Sequence, residues 1–102
     1  MNLSELNHGD WVKVVGVDFG SKGAKKFSAR VASAEQGGNI ELRLGSAEGK
    51  LISTCKVENT GGWQQWRDVS AAVTGATGVQ DLYLKFTGGE KPLLNLDHWK
   101  FE

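Results

Sequence analysis

The sequence has only one cysteine and one proline among its 102 residues. Cys55 alone cannot form an internal disulfide, and no Cys–His spacing suited to zinc is present, so the core alone must stabilise the fold. Apolar runs extend over a handful of residues, far short of the ~20 that a membrane-spanning helix requires. The first residues also lack a basic segment followed by an apolar one. The sequence therefore predicts neither a membrane interaction nor a targeting signal.

An excess of charge of either sign is also absent. Lys+Arg and Asp+Glu both number 12, so the formal net charge is zero. No bulk positive field exists to attract phosphates, and we do not expect nucleic acid as a partner. The length suits one compact domain with a single core and excludes a catalytic domain joined to a separate binding domain. We therefore predict a single domain over residues 1–102.

Glycine, in contrast, is abundant, with 14 residues spread through most of the chain. These interruptions leave no room for a long helix, whereas apolar residues at every second position favour strands. In residues 40–44, for example, three aliphatic side chains share one face while Glu41 and Arg43 share the other. Strands are predicted over residues 10–15, 27–32, 40–44, 50–57, 66–73, 79–86 and 93–101. About seven short strands with Gly-rich connections predict an all-β fold, an antiparallel β-sandwich.

Catalytic motifs are missing. Carboxylates that could serve as the acid and base of a glycosidase lie mostly in turns or at outward strand positions beside lysine or arginine. His8 and His98 have no serine or cysteine in a nucleophile motif beside them. The glycine-rich run 16–23 lacks the Gly-Lys-Ser/Thr ending of a phosphate loop and predicts a turn between strands. We do not expect an enzyme.

Four tryptophans are many for a chain of this size. Trp63 and Trp66 follow a Gly-Gly turn, and an indole at a strand end offers a flat apolar face whose edge tolerates water. Such a face suits a sugar ring, which has C–H groups on one side and hydroxyls around its rim. Side chains able to bond those hydroxyls are Asn95, Gln64 and Gln65.

A tryptophan in a β-sandwich can equally be a core residue. Trp11 and Trp99 lie in alternating runs of which one face is buried. The sequence alone leaves the choice between core and ligand platform open for each of the four.

Several segments resemble family 6 carbohydrate-binding modules, in the family's order and over nearly the whole chain. They are Gly-Asp-Trp-Val-Lys (9–13), Phe-Ser-Ala-Arg-Val-Ala-Ser (27–33), Gly-Asn-Ile-Glu-Leu-Arg-Leu (38–44), Thr-Gly-Gly-Trp-Gln-Gln-Trp (60–66), Asp-Leu-Tyr-Leu-Lys-Phe-Thr-Gly-Gly (81–89) and Asn-Leu-Asp (95–97). The resemblance implies a galactose-binding-like jelly roll without catalysis of its own. Modules of this family are attached to secreted plant-wall hydrolases, such as xylanases and arabinofuranosidases, and bind xylan or β-glucan. An extracellular location is implied as well.

The resemblance also implies which residues bind sugar. Trp66 matches the tryptophan of a cleft at one end of the sandwich, Asn95 the asparagine that bonds the sugar there, and Trp63 is a neighbour. The second aromatic residue of that clamp should be a tyrosine, but this sequence has Glu5 at the position. Some members use a second cleft on a sheet face, where a tryptophan matching Trp11 stacks on the glycan.

The chain departs from the family at its start. Members usually begin with a further strand or two that include a Glu-rich calcium motif, so the resemblance implies an N-terminally shortened module. Asp97 matches the late calcium ligand, but its N-terminal partners are missing. Many relatives pair a cysteine at position 55 with one at position 71, where this chain has Ala71, so we expect Cys55 to be a buried small hydrophobe.

The sequence leaves two candidate functions. The first is non-catalytic binding of xylan, cellulose or β-glucan oligosaccharides by aromatic stacking and hydrogen bonds. The alternative is a structural or protein-interaction domain that has lost the sugar site and forms a homodimer through an exposed sheet edge, which Glu5 and the missing strand favour.

Overall fold

The computed structural model describes residues 3–33, 38–58, 60–88 and 94–102. These residues form eight strands: β1 (Leu3–Leu6), β2 (Trp11–Asp18), β3 (Lys26–Ser33), β4 (Gly38–Leu44), β5 (Lys50–Val57), β6 (Gly62–Ala72), β7 (Val79–Gly88) and β8 (Leu94–Phe101). They form a first sheet in the order β1-β8-β3-β6 and a second sheet in the order β2-β7-β4-β5. Every pairing is antiparallel. The predicted antiparallel β-sandwich is confirmed, and its connectivity is typical of a jelly roll.

The strand limits differ from the prediction by more than two residues at β1, β6 and β2. Strand β1 was not predicted, yet it pairs with β8 through Leu3↔Leu96 and Leu6↔Leu94. Strand β6 begins at Gly62, ahead of the predicted residue 66. Strand β2 continues to Asp18 because its pairing with β7 resumes after a bulge, so the predicted turn over residues 16–23 starts only at Phe19. The predicted start of the last strand, residue 93, lies outside the described residues.

The core lies between the inner faces of the two sheets. The alternation of β4 and β7 places their aliphatic and aromatic residues against those of β3 and β8. The largest fully buried side chains are Phe27, Phe86, Ile40, Leu42, Leu82, Leu84, Leu94 and Leu96. Burying a side chain of this size stabilises the fold by about 1.5–3 kcal/mol. Cys55 is 1% exposed in this core, as predicted, and burial raises the pKa of its thiol.

The two long sides of the sandwich are sealed differently. On one side β5 and β6 are joined, since Ser53 Oγ donates to the Ala72 carbonyl at 2.6 Å and the Thr74 N–H to the Ile52 carbonyl at 3.0 Å. On the other side, the described residues show no backbone hydrogen bond between β2 and the second half of β8. Apolar side chains along that side are only partly buried: Val12, Val14, Val17, Trp99 and Phe101. None of the described residues forms a helix able to span a membrane.

Two glycines in the turn after β2 provide a matched test of this packing. Gly20 and Gly23 both have a positive φ, 78° and 79°. A Cβ on Gly20 would meet nothing within 4 Å, whereas one on Gly23 would overlap the carbonyl oxygen of Ala76. Gly20→Ala should destabilise the protein by about 1 kcal/mol, the cost of a left-handed residue. Gly23→Ala should cost at least about 2 kcal/mol more because of the overlap. Urea unfolding measures both, and equal losses would contradict the packing described.

Candidate functional site

The start of β6 leaves the regular ladder of its sheet. The pairs Val31↔Arg67 and Ser33↔Gly62 enclose one residue on β3, Ala32, but four on β6. Residues 63–66 therefore loop out of the sheet, and we call this segment the tryptophan bulge. Trp63 and Trp66 are half-buried in it, and Gln65 is exposed. The side chain of Gln64 lies outside the described part of the chain.

Asn95 lies against the tryptophan bulge. It pairs with Ala32 across β8 and β3, and its neighbours Leu94 and Leu96 face the core. Asn95 therefore points to the opposite face of the sheet, yet it is only 6% exposed. Its Nδ2 donates to the Trp63 carbonyl at 3.1 Å, so the tryptophan bulge lies directly against it. The structure thus brings together three residues that the sequence analysis singled out, at one end of the sandwich.

Thr60 fixes the turn that leads into the tryptophan bulge. Its N–H donates to the Ser33 carbonyl at 2.8 Å, and its Oγ1 accepts from the Ser33 N–H at 2.9 Å. The same hydroxyl lies 3.2 Å from the Gly62 carbonyl, to which it donates. Both Thr60 and Ser33 are buried, so these bonds are shielded from water. Between them and the bulge, Gly61 has a φ of 102°, which glycine adopts readily.

The turn between β1 and β2 is tied to the end of β7 by three bonds, one of which runs from the Phe86 N–H to the Asp10 carbonyl at 2.8 Å. His8 Nδ1 accepts from the Gly88 N–H at 3.1 Å, and the Gly9 N–H donates to the Phe86 carbonyl at 2.8 Å. Glu5, which replaces the expected clamp tyrosine, lies on β1, but its side chain is outside the described part of the chain. Sequence reasoning did not identify His8 or Thr60 as residues that order this end.

Trp11 lies on a different surface, the outer face of the second sheet. It is 53% exposed, whereas its neighbour Val12 packs against the core. The core interpretation of Trp11, which the sequence left open, is therefore wrong. Tyr83 on β7 lies beside it, with ring centroids 5.6 Å apart and an angle of 50° between the rings. Tyr83 was not predicted, although its alternation with the buried Leu82 and Leu84 indicates an outward side chain.

The cations around this aromatic pair all have carboxylate neighbours. Lys13 Nζ lies 5.8 Å from the Tyr83 ring centroid and 3.7 Å from Asp81 Oδ2. Arg43 donates to Glu41 at 3.0 and 3.1 Å. Lys85, directly opposite Trp11 on β7, pairs with Glu48; the hydrogen bond and the charge of Lys85 lower the pKa of the Glu48 carboxyl. We call this surface, with Trp11 and Tyr83 at its centre, the Trp11 face; its paired charges suit a neutral, hydroxyl-bearing ligand.

The remaining predicted residues are not part of either surface. Trp99 packs partly against the core. Asp97 is the extra residue of a bulge in β8, between the pairs Arg30↔His98 and Val31↔Leu96, and its carboxylate lies 3.8 Å from His98 Nε2. Among the described residues no group of three or more His, Cys, Asp or Glu side chains could hold a metal ion. Asp97 as a calcium ligand therefore stays a prediction from the family resemblance.

The fold and these surfaces define an antiparallel β-sandwich with solvent-accessible tryptophans at one end and on one face. Residues 1–102 match the sequence profile of the carbohydrate binding module (family 6), and the chain belongs to this family. The recognition from the sequence is thereby confirmed.

Three similar proteins illustrate what this chain resembles. The chain is 51% identical to part of an arabinoxylan arabinofuranohydrolase of Paenibacillus polymyxa, over 99% of this chain but 16% of that enzyme. It is 47% identical to a family 6 module of Clostridium cellulolyticum in complex with xylose, with a TM-score of 0.91 over 95% of this chain and 74% of that one. A β-1,3-glucan binding module of the family from Bacillus halodurans is 42% identical, with a TM-score of 0.92 over 99% and 75% of the two chains.

The anchor of the tryptophan bulge can be tested by removing one hydroxyl. Thr60→Val removes the hydroxyl that accepts from the buried Ser33 N–H and donates to the Gly62 carbonyl, and it should lower the free energy of unfolding by about 1–3 kcal/mol. Thr60→Ser keeps the hydroxyl and serves as the control. Chemical denaturation followed by fluorescence measures both, and a Thr60→Val variant as stable as Thr60→Ser would contradict the role given to the hydroxyl.

Proposed function

We propose that this chain binds β-linked plant polysaccharide, xylan or β-glucan, without catalysing a reaction. The observation that supports this most is the tryptophan bulge, whose half-buried indoles are held out of the sheet beside Asn95. Membership of the family and the xylose and β-1,3-glucan ligands of its relatives support the ligand class.

In this proposal the Trp66 indole stacks against the C–H face of a sugar ring, with Trp63 beside it. Apolar contact of this kind contributes about 0.5–1.5 kcal/mol beyond the area that it buries. We assign to Asn95 a hydrogen bond to a sugar hydroxyl in addition to its bond to the Trp63 carbonyl. Because Glu5 stands where the second clamp aromatic is expected, we expect weak binding.

The absence of catalysis is part of the proposal. Lys13, Arg43 and Lys85 hold nearby carboxylates in ion pairs on an open sheet face rather than across a cleft. A glycosidase needs two carboxyl groups that flank the bond to be broken, one of them with a raised pKa. Glu48 has a lowered pKa instead. We infer an extracellular accessory role beside a hydrolase, in line with the arabinofuranohydrolase relative.

The Trp11 face is proposed as a second glycan surface. Trp11 and Tyr83 form a tilted aromatic pair whose larger ring is half exposed, and paired charges surround it. An extended glycan could lie across the strands there without entering a cleft, with its hydroxyls near the flanking ion pairs.

Trp66→Ala should reduce binding at the bulge below detection, since a weak site loses its main stacking surface. Calorimetry with xylohexaose, cellohexaose and laminarihexaose measures this loss of binding. Val79→Ala is the matched control, because Val79 is exposed and lies at the start of β7, away from both surfaces. No binding of the unaltered, folded protein to any of the three glycans would remove the proposal. If Trp66→Ala fails to fold, the Trp66 ring belongs to the core. Glycan binding by the Asn95→Ala variant would then test the site.

Trp11→Ala should remove one of two binding events and leave the event at the bulge intact. The expected readout is a halved stoichiometry in calorimetry, with unchanged affinity for the remaining site. Val15→Ala is the control on the same strand, as Val15 is 72% exposed. If Trp11→Ala binds every glycan as the unaltered protein does, the Trp11 face is not a site.

A further inference from the structure

A cleft borders the tryptophan bulge on the side of the sandwich where β5 and β6 are joined. It has a volume of about 290 Å³, and the residues that line it are Lys56, Glu58, Thr60, Arg67, Asp68 and Val69. Two of these residues also belong to the surroundings of the bulge, since Thr60 anchors it and Arg67 directly follows Trp66. Consecutive Cα atoms are only about 3.8 Å apart. A ligand that stacks on Trp66 therefore has the cleft beside it.

The register of β6 directs the Arg67 side chain into this cleft. Arg67 lies directly opposite Val31 of β3, which is fully buried. Residues that are opposite each other in an antiparallel pair project to the same face of the sheet, so Arg67 projects toward the gap between the two sheets. Because β6 is the edge strand of its sheet, the Arg67 side chain stays exposed and lines the cleft instead of the core.

Arg67 differs from the cations of the Trp11 face because it has no ion pair. Each cation on that face has a carboxylate neighbour. Within the cleft, Lys56 Nζ lies 3.7 Å from Glu58 Oε1. Among the described residues, no carboxylate forms an ion pair with Arg67. The guanidinium of Arg67 is therefore available to a ligand.

The other charges of the cleft do not oppose an anion at Arg67. The carboxylate of Glu58 has the ammonium of Lys56 beside it, in a pair that is exposed and therefore weak. The second carboxylate, that of Asp68, lies directly opposite Arg30 of β3. Opposite charges in such a cross-strand pair attract each other. Both carboxylates of the cleft thus have a cation of their own, which leaves Arg67 for the ligand.

We propose that the cleft binds the carboxylate of a uronic acid branch on the polysaccharide that stacks at the tryptophan bulge, and that Arg67 recognises this carboxylate. The inference rests on the proposed function. The main chains of xylan, cellulose and β-glucan consist of neutral sugars, so a carboxylate can come only from a side group. Glucuronic acid branches occur on xylan, so the inference selects acidic xylan among the candidate ligands. The planar fork of a guanidinium suits this task, because it can donate two parallel hydrogen bonds to one carboxylate.

The contribution of this contact is modest because Arg67 is exposed. We expect the ion pair to tighten binding about threefold to fivefold at low ionic strength, the strength of an exposed pair. Added salt screens exposed charges and should remove this gain. The stacking on Trp66 does not involve a charge pair. Salt dependence therefore separates the contribution of Arg67 from that of the indole.

Two matched ligands isolate the effect of the carboxylate. One is a xylo-oligosaccharide with a 4-O-methylglucuronic acid branch, and the other is the same molecule with that carboxyl group reduced to a primary alcohol. Calorimetry measures the affinity for each ligand at about 20 mM and about 0.5 M salt. Trp11→Ala is present in every protein, so that only the tryptophan bulge is measured. At the lower salt concentration the acidic ligand should bind about threefold to fivefold more tightly than the reduced one, and at the higher concentration equally.

Two substitutions test whether Arg67 causes this preference. Arg67→Gln removes the charge and keeps a polar side chain, so this variant should bind the two ligands equally, with unchanged affinity for the reduced one. Lys25→Gln is the matched control. It makes the same charge change at an exposed residue just before β3, whereas the bulge lies at the other end of that strand. Lys25→Gln should retain the preference, and circular dichroism checks that each variant is folded.

Three results would each overturn the inference. The first is equal affinity for the two ligands at low salt when Arg67 is present. The second is a preference that Arg67→Gln retains, and the third is a preference that Lys25→Gln loses. In each of these cases, binding of the reduced ligand still supports the proposed function. If neither ligand binds, the proposed function fails and this inference fails with it.

Discussion

The arrangement of the tryptophan bulge depends on how the start of β6 is held to β3. Four residues, 63–66, face the single Ala32, so the ladder alone cannot position them. Their position is set by two polar anchors: the Thr60 hydroxyl on the Ser33 backbone and the Asn95 amide on the Trp63 carbonyl. Both anchors are buried, where hydrogen bonds are strong and an unmet donor is costly. These two anchors therefore hold Trp63 and Trp66 outside the regular ladder of the sheet.

The Trp11 face arises from a different and simpler constraint. In β2 and β7 the buried residues alternate with outward ones, so Trp11 and Tyr83 lie outside because Val12 and Leu84 lie inside. Here no irregular backbone is needed, and ion pairs flank the rings. In the proposed function these two surfaces, one at an end and one on a face, are separate contact sites for a glycan.

Much of the fold could be predicted from the sequence because most strands alternate cleanly, as residues 40–44 do. The prediction missed β1, a strand of only four residues, and placed the start of β6 after the bulge, because a bulge breaks the alternation that reveals a strand. Trp66 and Asn95 were predicted as site residues from the sequence. The hydrogen bond from Asn95 to the Trp63 carbonyl was not predicted, because a backbone partner cannot be recognised from residue types. For Trp11 the sequence did contain a signal. Lys13 lies on the same face of β2 as Trp11, and a lysine there indicates that this face is exposed to solvent.

The central claim, that a glycan lies on the indoles beside Asn95, is tested most directly by NMR. A titration of ¹⁵N-labelled protein with xylohexaose or laminarihexaose follows the four indole N–H signals and the Asn95 side-chain amide. The account predicts saturable shifts for Trp66, Trp63 and the Asn95 amide, with Trp99 unmoved. If no indole of the tryptophan bulge shifts with either glycan, while the spectrum shows a folded protein, the account is contradicted.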